Sequence, residues 1–153
     1  MPNNSNGPSQ AFNIGLLLVD GFALMSFSSV IEPLRAANLI SKNVLYEIDY
    51  YSSDKELSTS SSGATVASTK SLSDMAHLDI LFVVAGLGST SFNNPEIFKL
   101  LRQLARQGMT LGGVSGGPVI LAKAGVLKNR RFTVHWEHVS EMVELFPELV
   151  IER

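Results

Sequence analysis

Two periods of apolar and polar positions run along this chain, and the switch from one to the other marks out its elements. Phe12 to Val19, FNIGLLLV, is an almost unbroken apolar run, the pattern of a strand covered on both faces in a parallel sheet. Asp20-Gly21-Phe22 turns the chain. From Ser26 or Ser28, serines suited to capping, an amphipathic helix is predicted through Val30, Ile31, Leu34, Ala37 and Leu39 toward Lys42. Pro33 then falls in its first turns, where proline is tolerated. Tyr46 to Tyr51 predicts a second strand, and the Ser/Thr-rich stretch from Ser52 to Lys70 a small hairpin around Gly63.

Asp79 to Ala85, DILFVVA, is apolar after its first residue and predicts a strand that ends in the turn Gly86-Leu87-Gly88-Ser89. Asn94 or Asn93 caps the next helix, with Pro95 at its first position, Ile97, Leu100, Leu101 and Leu104 on its buried stripe, and Gly108 at its end. A strand from Met109 to Val114 follows, then a helix opened by Pro118 and closed by Gly125. Beyond it the pattern predicts a strand from Phe132 to Trp136, a helix from Glu137 to Phe146 stopped by Pro147, and a last strand starting at Leu149 to Ile151.

Apolar strands alternating with amphipathic helices specify an α/β fold, a flavodoxin-like three-layer sandwich with a mainly parallel sheet. Ligands in such sheets bind at the carboxyl ends of the strands. The loops after Val19, Ala85, Val114 and Val134 are expected to open there, which makes Asp20, Gly86 to Ser89, Ser115 and His135 candidates for one pocket. The stretch MTLGGVSGGPVILAKAG organises the rest. Its Gly113-Val114-Ser115-Gly116-Gly117 fits the G-x-S-x-G elbow, in which small neighbours let a strand turn sharply into a helix and lift one side chain above the sheet edge. Backbone N–H groups at the helix start aim at the same spot and favour an anion or a carbonyl oxygen.

Composition narrows the function. The 153 residues, 45% hydrophobic and 17% charged, suffice for one core. One domain is expected over 12–153, behind a loose tail at 1–11. A formal charge of −2 argues against a nucleic-acid surface within this segment. With no cysteine, disulfides, thiolate zinc sites and cysteine nucleophiles are excluded. No histidine pair stands at metal-ligand spacing with a carboxylate, so neither a metal nor another cofactor is expected. The start of the chain lacks the pattern of a signal peptide and no apolar run approaches membrane-spanning length, so a cytoplasmic protein with no membrane contact is expected.

Taken in order, DGFALMSFSSVIEPLRAAN, DILFVVAGLGS, GGVSGGPVILAKAGVLKNRRFTVHWE and LFPEL resemble the ThiJ/PfpI branch of the class I glutamine amidotransferase-like superfamily. More closely, they resemble the N-terminal domain of GlxA-like AraC-type transcriptional regulators. Enzymes of that superfamily place a cysteine on the elbow, an early glutamate near it and often a histidine on the following strand. By that resemblance Ser115 takes the cysteine's place, Glu32 falls in the early glutamate region and His135 matches the histidine.

A serine hydroxyl needs a well-aligned base where a thiol needs little help, so the change removes thiolate chemistry and leaves the pocket. The resemblance then implies a non-catalytic sensor, and at the level of the family a small nitrogen metabolite, an amino acid or a betaine-like compound, as its ligand. The resemblance further implies DNA binding through a domain outside this segment, and a homodimer. Asp20, Glu32, Gly86, Gly88, Ser89, Ser115, Gly116, His135 and Trp136 are the candidate contacts. Among them Glu32 or Asp20 would supply a countercharge, and Trp136 and the phenylalanines aromatic faces. His135 reads equally as a ligand contact or as a satisfied histidine beside a buried indole, whereas His77 and His138 read as solvated. The alternative is a serine-dependent hydrolase or amidase using Ser115 and His135, and a third reading is a degenerate subunit that serves only association.

Overall fold

The computed structural model describes residues 11–54 and 56–152. The expected tail, apart from Ala11, lies outside the described residues, as does Arg153. The two apolar runs form β1 (Phe12–Leu18) and β5 (Ile80–Ala85), the second strand forms β2 (Tyr46–Ser52), and the elbow strand forms β6 (Thr110–Ser115). They pair side by side in the order β2-β1-β5-β6, and every pairing is parallel. The chain thus has the α/β fold with a parallel central sheet that its periodicity predicts. Because the chain leaves β1 for β2 on one side and later returns to β5 on the other, the strand order reverses between β1 and β5. A crevice opens at their carboxyl ends for that reason.

Alternate residues of each strand feed two layers. On one face Leu17, Val19, Leu81, Val83 and Ala85 pack against α2 (Pro95–Arg106) and α3 (Gly117–Lys123) through Ile97, Leu101, Leu104, Ile120 and Leu121. On the other, Ile14, Leu16, Leu18 and Val84 meet Phe27, Val30, Ile31 and Leu34 of α1 (Leu24–Ser41). Burying one such aliphatic side chain contributes roughly 1.5–3 kcal/mol, and that of Leu16 is wholly buried. Among the described residues no helix is long and apolar enough to cross a membrane.

Several boundaries are as predicted. Asn94 caps α2, its side-chain oxygen accepting from the amides of Glu96 at 3.1 Å and Ile97 at 3.2 Å, with Pro95 in the first turn. The Ser/Thr-rich stretch forms the antiparallel hairpin β3 (Leu57–Thr59) and β4 (Thr65–Ala67), with Gly63 at φ +86° in its turn.

Others are not. α1 begins at Leu24, after Ala23 and without a side-chain cap. The serines expected to cap it lie inside the helix, where Ser28 and Ser29 donate to the carbonyls of Leu24 (2.9 Å) and Met25 (2.8 Å), the local bond that competes with a capping role. Pro33 is consequently in the helix interior, on its exposed side, and leaves the Ser29 carbonyl without a helical donor.

The strand expected from Phe132 to Trp136 is reduced to β7 (Arg131–Phe132). It pairs in parallel with β8 (Val150–Ile151) in a separate small sheet. Phe132 and Val134 pack on the outer side of α3, with Val119, Ala122 and Met142 of α4 (Val139–Leu145), and that burial takes the segment away from the central sheet. The final helix is correspondingly shorter than Glu137 to Phe146, and a 3-10 turn over Trp136–His138 precedes it.

Candidate functional site

At the carboxyl edge the elbow has the backbone its sequence predicts. β6 ends at Ser115, opposite Ala85, and Ser115 takes φ +56°, in the left-handed region, before α3 starts. A residue bearing a Cβ is strained there, typically by about 1–3 kcal/mol, and such strain persists only where surrounding structure enforces it. The surroundings do so here. A Cβ on Gly116 would stand 2.5 Å from the Gly86 carbonyl oxygen and 2.8 Å from the Ser89 hydroxyl, while one on Gly86 would overlap the carbonyl oxygen of Gly21. The three loops after β1, β5 and β6 are therefore stacked backbone on backbone. Gly86 and Gly116 are the residues that permit the stacking.

Ser89 is buried at 1% exposure, and its hydroxyl has no hydrogen-bond partner among the described residues. The half-buried Ser115 hydroxyl likewise has no partner among the described residues. The amides after the bend are less available than the sequence suggests. The Gly116 N–H donates to the Ala85 carbonyl at 3.2 Å, Val119 turns back to Gly116 at 3.1 Å, and Pro118 has no N–H. The Gly117 N–H, at the first position of α3, is left without a helical acceptor.

Asp20 is more than a turn former. Its Oδ1 accepts from the Thr59 amide at 2.8 Å, the Gly21 N–H donates to the Thr59 carbonyl at 2.8 Å, and the Ser61 N–H to the Phe22 carbonyl at 2.9 Å. The loop after β1 thereby ties the β3–β4 hairpin to the sheet edge. Asp20 also lines a hollow of about 440 Å³ with Val19, Ser53, Asp54, Gly88 and Phe92, with Asn94 at its rim. Ser53, Asp54, Phe92 and Asn94 were not foreseen from the sequence. Asn94 was identifiable only as a helix cap, and its Nδ2 additionally donates to the Ser53 carbonyl at 3.2 Å. Asp20, Gly86, Gly88, Ser89, Ser115 and Gly116 are thus brought to one sheet edge.

The other candidates are not part of this group. Glu32 is exposed on α1, where its carboxylate accepts from the Arg35 guanidinium at 2.8 Å. It borders a different hollow, between α1 and β2, with Ile31, Asn38, Tyr46, Ile48 and Tyr50. Burial, aided by the Glu32 charge, raises the Tyr50 hydroxyl above its usual pKa. His135 does not lie on a strand of the central sheet. It caps the short 3-10 turn, its Nδ1 accepting from the Glu137 amide at 3.4 Å with the Glu137 carboxylate at 3.5 Å. Its ring leans on Trp136, whose indole is 75% exposed rather than buried. His138, expected in solvent, is the buried histidine of the segment.

A polar cluster unrelated to the edge surrounds Asp49 of β2. Its carboxylate meets Lys70 Nζ at 2.9 Å, His77 Nε2 at 3.0 Å and the Thr69 hydroxyl at 3.0 Å. Burial pushes the Asp49 pKa up, but the bonds from Lys70, His77 and Thr69 outweigh it and hold the carboxyl below its usual value. Among the described residues, no group of three or more His, Asp or Glu is placed to hold a metal ion.

The arrangement can orient a small polar molecule; an acyl transfer at Ser115 would also need a base within about 2.6–3.2 Å of its hydroxyl. Comparison with known proteins gives this geometry a context. The chain is 43% identical over 137 residues to the HTH-type transcriptional regulator GlxA of Rhizobium meliloti, over 89% of this chain and 42% of that one. It is 41% identical over 135 residues to the HTH-type transcriptional regulator CdhR of Pseudomonas aeruginosa, over 88% and 40%. It spans about two-fifths of the length of these curated relatives. A solved AraC family transcriptional regulator from Pseudomonas putida superposes with a TM-score of 0.81 at 29% identity, over 92% of this chain and 76% of that one. The DJ-1/PfpI family pattern matches residues 13–150. That match runs from the start of β1 to the start of β8, and the chain belongs to the DJ-1/PfpI family.

Proposed function

We propose that this domain senses a small molecule on behalf of a DNA-binding module elsewhere in the full-length protein, and that it does so without chemistry at the elbow. The observation that carries the reading is Ser115 itself. Its backbone keeps the strained bend at φ +56°, yet among the described residues its hydroxyl has no base aligned with it, and His135 is engaged with Glu137. A binding geometry maintained without its proton acceptor suits recognition better than turnover. The relatives named as HTH-type regulators and the AraC family structure support a helix-turn-helix partner domain, and with it a cytoplasmic site of action.

The effector class is an amino acid or a betaine-like compound, a small molecule with a cationic end and a carboxylate. Asp20 and the Phe92 ring, which line one hollow, suit the cation by charge and by cation–π attraction. The Ser115 hydroxyl and the Gly117 N–H suit the carboxylate. The exposed Leu39 and Ile40 of α1 suit pairing of two copies.

Calorimetry and thermal-shift measurement of amino acids and quaternary ammonium metabolites against wild type, Ser115→Trp and Asp20→Asn test the reading. A bulky indole at the bend is expected to block binding, and Ser115→Ala to weaken it by roughly 0.5–1.5 kcal/mol, one hydrogen bond. A ligand whose affinity is the same in wild type and Ser115→Trp would place the site elsewhere. Stoichiometric labelling of Ser115 by a fluorosulfonyl probe, lost in His135→Ala, would favour a hydrolase instead.

A further inference from the structure

The formal charge of −2 conceals a separation of charge along the chain. Residues 97–136 hold seven of the twelve Lys and Arg and none of the fourteen Asp and Glu, a formal +7, while the remaining residues carry −9. The segment runs from α2 through β6 and α3 to the turn after β7, so the asymmetry belongs to adjoining elements of the fold. A protein surface ordinarily intersperses both signs. The expectation that this segment holds no nucleic-acid surface rests on net charge, and the distribution of charge points the other way.

α2 gives the patch its shape. Ile97, Phe98, Leu101 and Leu104 are buried in the core, which leaves Lys99, Arg102, Gln103 and Arg106 exposed at the i, i+3, i+4, i+7 spacing of one helix face. The Arg102 guanidinium donates to the Ala124 carbonyl at 3.2 Å, just after α3. Arg130 lines a hollow of about 290 Å³ with Ala105, Gly108 and Met109 at the end of α2. The α2 face and the loop from Gly125 to Arg130 therefore adjoin, and the exposed Lys128 and Arg130 extend the patch. Lys99, Arg106, Lys128 and Arg130 have no carboxylate partner among the described residues. Lys123 and Arg131 are engaged elsewhere, Lys123 donating to the Thr90 carbonyl and Arg131 meeting Glu152 at 3.1 Å. In the last turn of α2, Arg106 suits the negative end of the helix dipole, which explains neither Lys99 nor the two cations on the loop.

We propose that this face holds the phosphate backbone of duplex DNA alongside the helix-turn-helix module of the full-length protein. The proposal rests on the DNA-binding partner domain inferred above and adds a second DNA contact, on the sensing domain itself. The chemistry of the patch selects the occupant. Three of its five cations are arginines, whose planar fork matches phosphate oxygens, and Gln103 adds a neutral donor between them. From Lys99 to Arg106 the face is about 10 Å long, a length over which duplex DNA carries roughly six phosphates. A domain tethered to a DNA-bound module also lies close to a polyanion wherever that module binds. A basic face centred on the two-fold axis of a pair would instead meet its own copy and repel it. The contact reads no sequence; it adds affinity that falls as salt rises.

Binding of the full-length protein to a fluorescent duplex of random sequence, measured from about 0.05 to 0.3 M KCl, tests the contact. Arg106→Gln with Arg130→Gln should make the slope of log affinity against log salt shallower by about two, and lower affinity at least tenfold near 0.1 M. The charge-matched pair Arg35→Gln with Lys42→Gln, on α1 and its C-cap, should change affinity less than twofold. Arg106→Lys with Arg130→Lys should restore the wild-type slope. In the wild-type protein, saturating duplex should slow acetylation of Lys99 and Lys128 several-fold and leave that of Lys42 unchanged. An unchanged slope, or equal losses in the two glutamine pairs, would overturn the proposal and leave the DNA-binding partner domain standing. Lys99 and Lys128 that acetylate as fast with duplex as without it would do the same. Wild-type protein that binds no duplex at the lowest salt would count against the partner domain itself, and the proposal would fall with it. A changed sedimentation of the Arg106→Gln, Arg130→Gln protein with its DNA affinity unaltered would assign the face to another protein surface and overturn the proposal too.

Discussion

Replacing Ser115 by glycine should make the protein more stable, although it removes a side chain from the site. With φ at +56°, the Cβ of Ser115 is held against the following carbonyl, a strain of roughly 1–2 kcal/mol. Glycine relieves it but gains freedom in the unfolded chain, which takes back roughly 0.5–1 kcal/mol. The Ser115 hydroxyl offsets little, because it has no partner among the described residues. The net expectation for Ser115→Gly is a gain of about 0.5–1 kcal/mol, or about 0.3–0.5 M in urea midpoint at a slope near 2 kcal/mol/M. Ser115→Ala retains the strain and should stay within about 0.5 kcal/mol of wild type. Ser115→Val, β-branched, should lose about 1 kcal/mol or more. The assay is urea unfolding of the three variants beside wild type. A glycine variant no more stable than the alanine variant would show that the bend holds no strain, and the claim that the stacked loops enforce it would fall.

Gly86→Ala should lose about 1–3 kcal/mol, since its Cβ would meet the backbone oxygen of Gly21 rather than a movable side chain. Gly88→Ala, with nothing near its Cβ, is the control and should be neutral or slightly stabilising in the same urea titration. The Asp49 carboxyl titrates below its usual value in the folded state, so its contribution to stability is fully present above the unfolded pKa of about 3.9 and is lost as pH falls through the folded value. Urea unfolding between pH 6 and 3 should therefore show wild type losing its advantage over Asp49→Asn at the acid end; a difference independent of pH would refute the assignment.

Where burial is decided by neighbours in sequence, the chain is legible. FNIGLLLV and DILFVVA state by composition alone that both their faces are covered, and they form β1 and β5. Asn94 followed by Pro95 states a helix start through local bonding, and the cap is there. The elbow is readable for the same reason, since Gly116 and Gly117 next to Ser115 are a local demand for close backbone approach. What the sequence could not show depends on distant partners. Ser28 looks like a cap and is one of several serines inside a helix that starts at Leu24. Phe132 and Val134 look like a central strand, but whether they join β6 or pack on α3 depends on how the outer side of α3 is covered, which is a matter of Met142 and Ile151.

Asp20 shows why the residues around the elbow were harder to place than the elbow itself. In sequence it precedes a glycine and reads as a turn former. In the fold it accepts the Thr59 amide, thirty-nine positions away. That bond places the β3–β4 hairpin over the end of β1, and Ser53 and Asp54 from the approach to that hairpin complete the hollow with Gly88 and Phe92. Glu32 lies apart from the elbow for the converse reason. A helix starting at Leu24 carries it well past the sheet edge, where Arg35, one turn on, is its nearest opposite charge. The position of a charged residue relative to the cleft is thus set by helix start and loop tether, two features that depend on bonds between segments. The elbow needs only its own glycines, so it can be recognised before any partner is known, while the chemistry around it cannot.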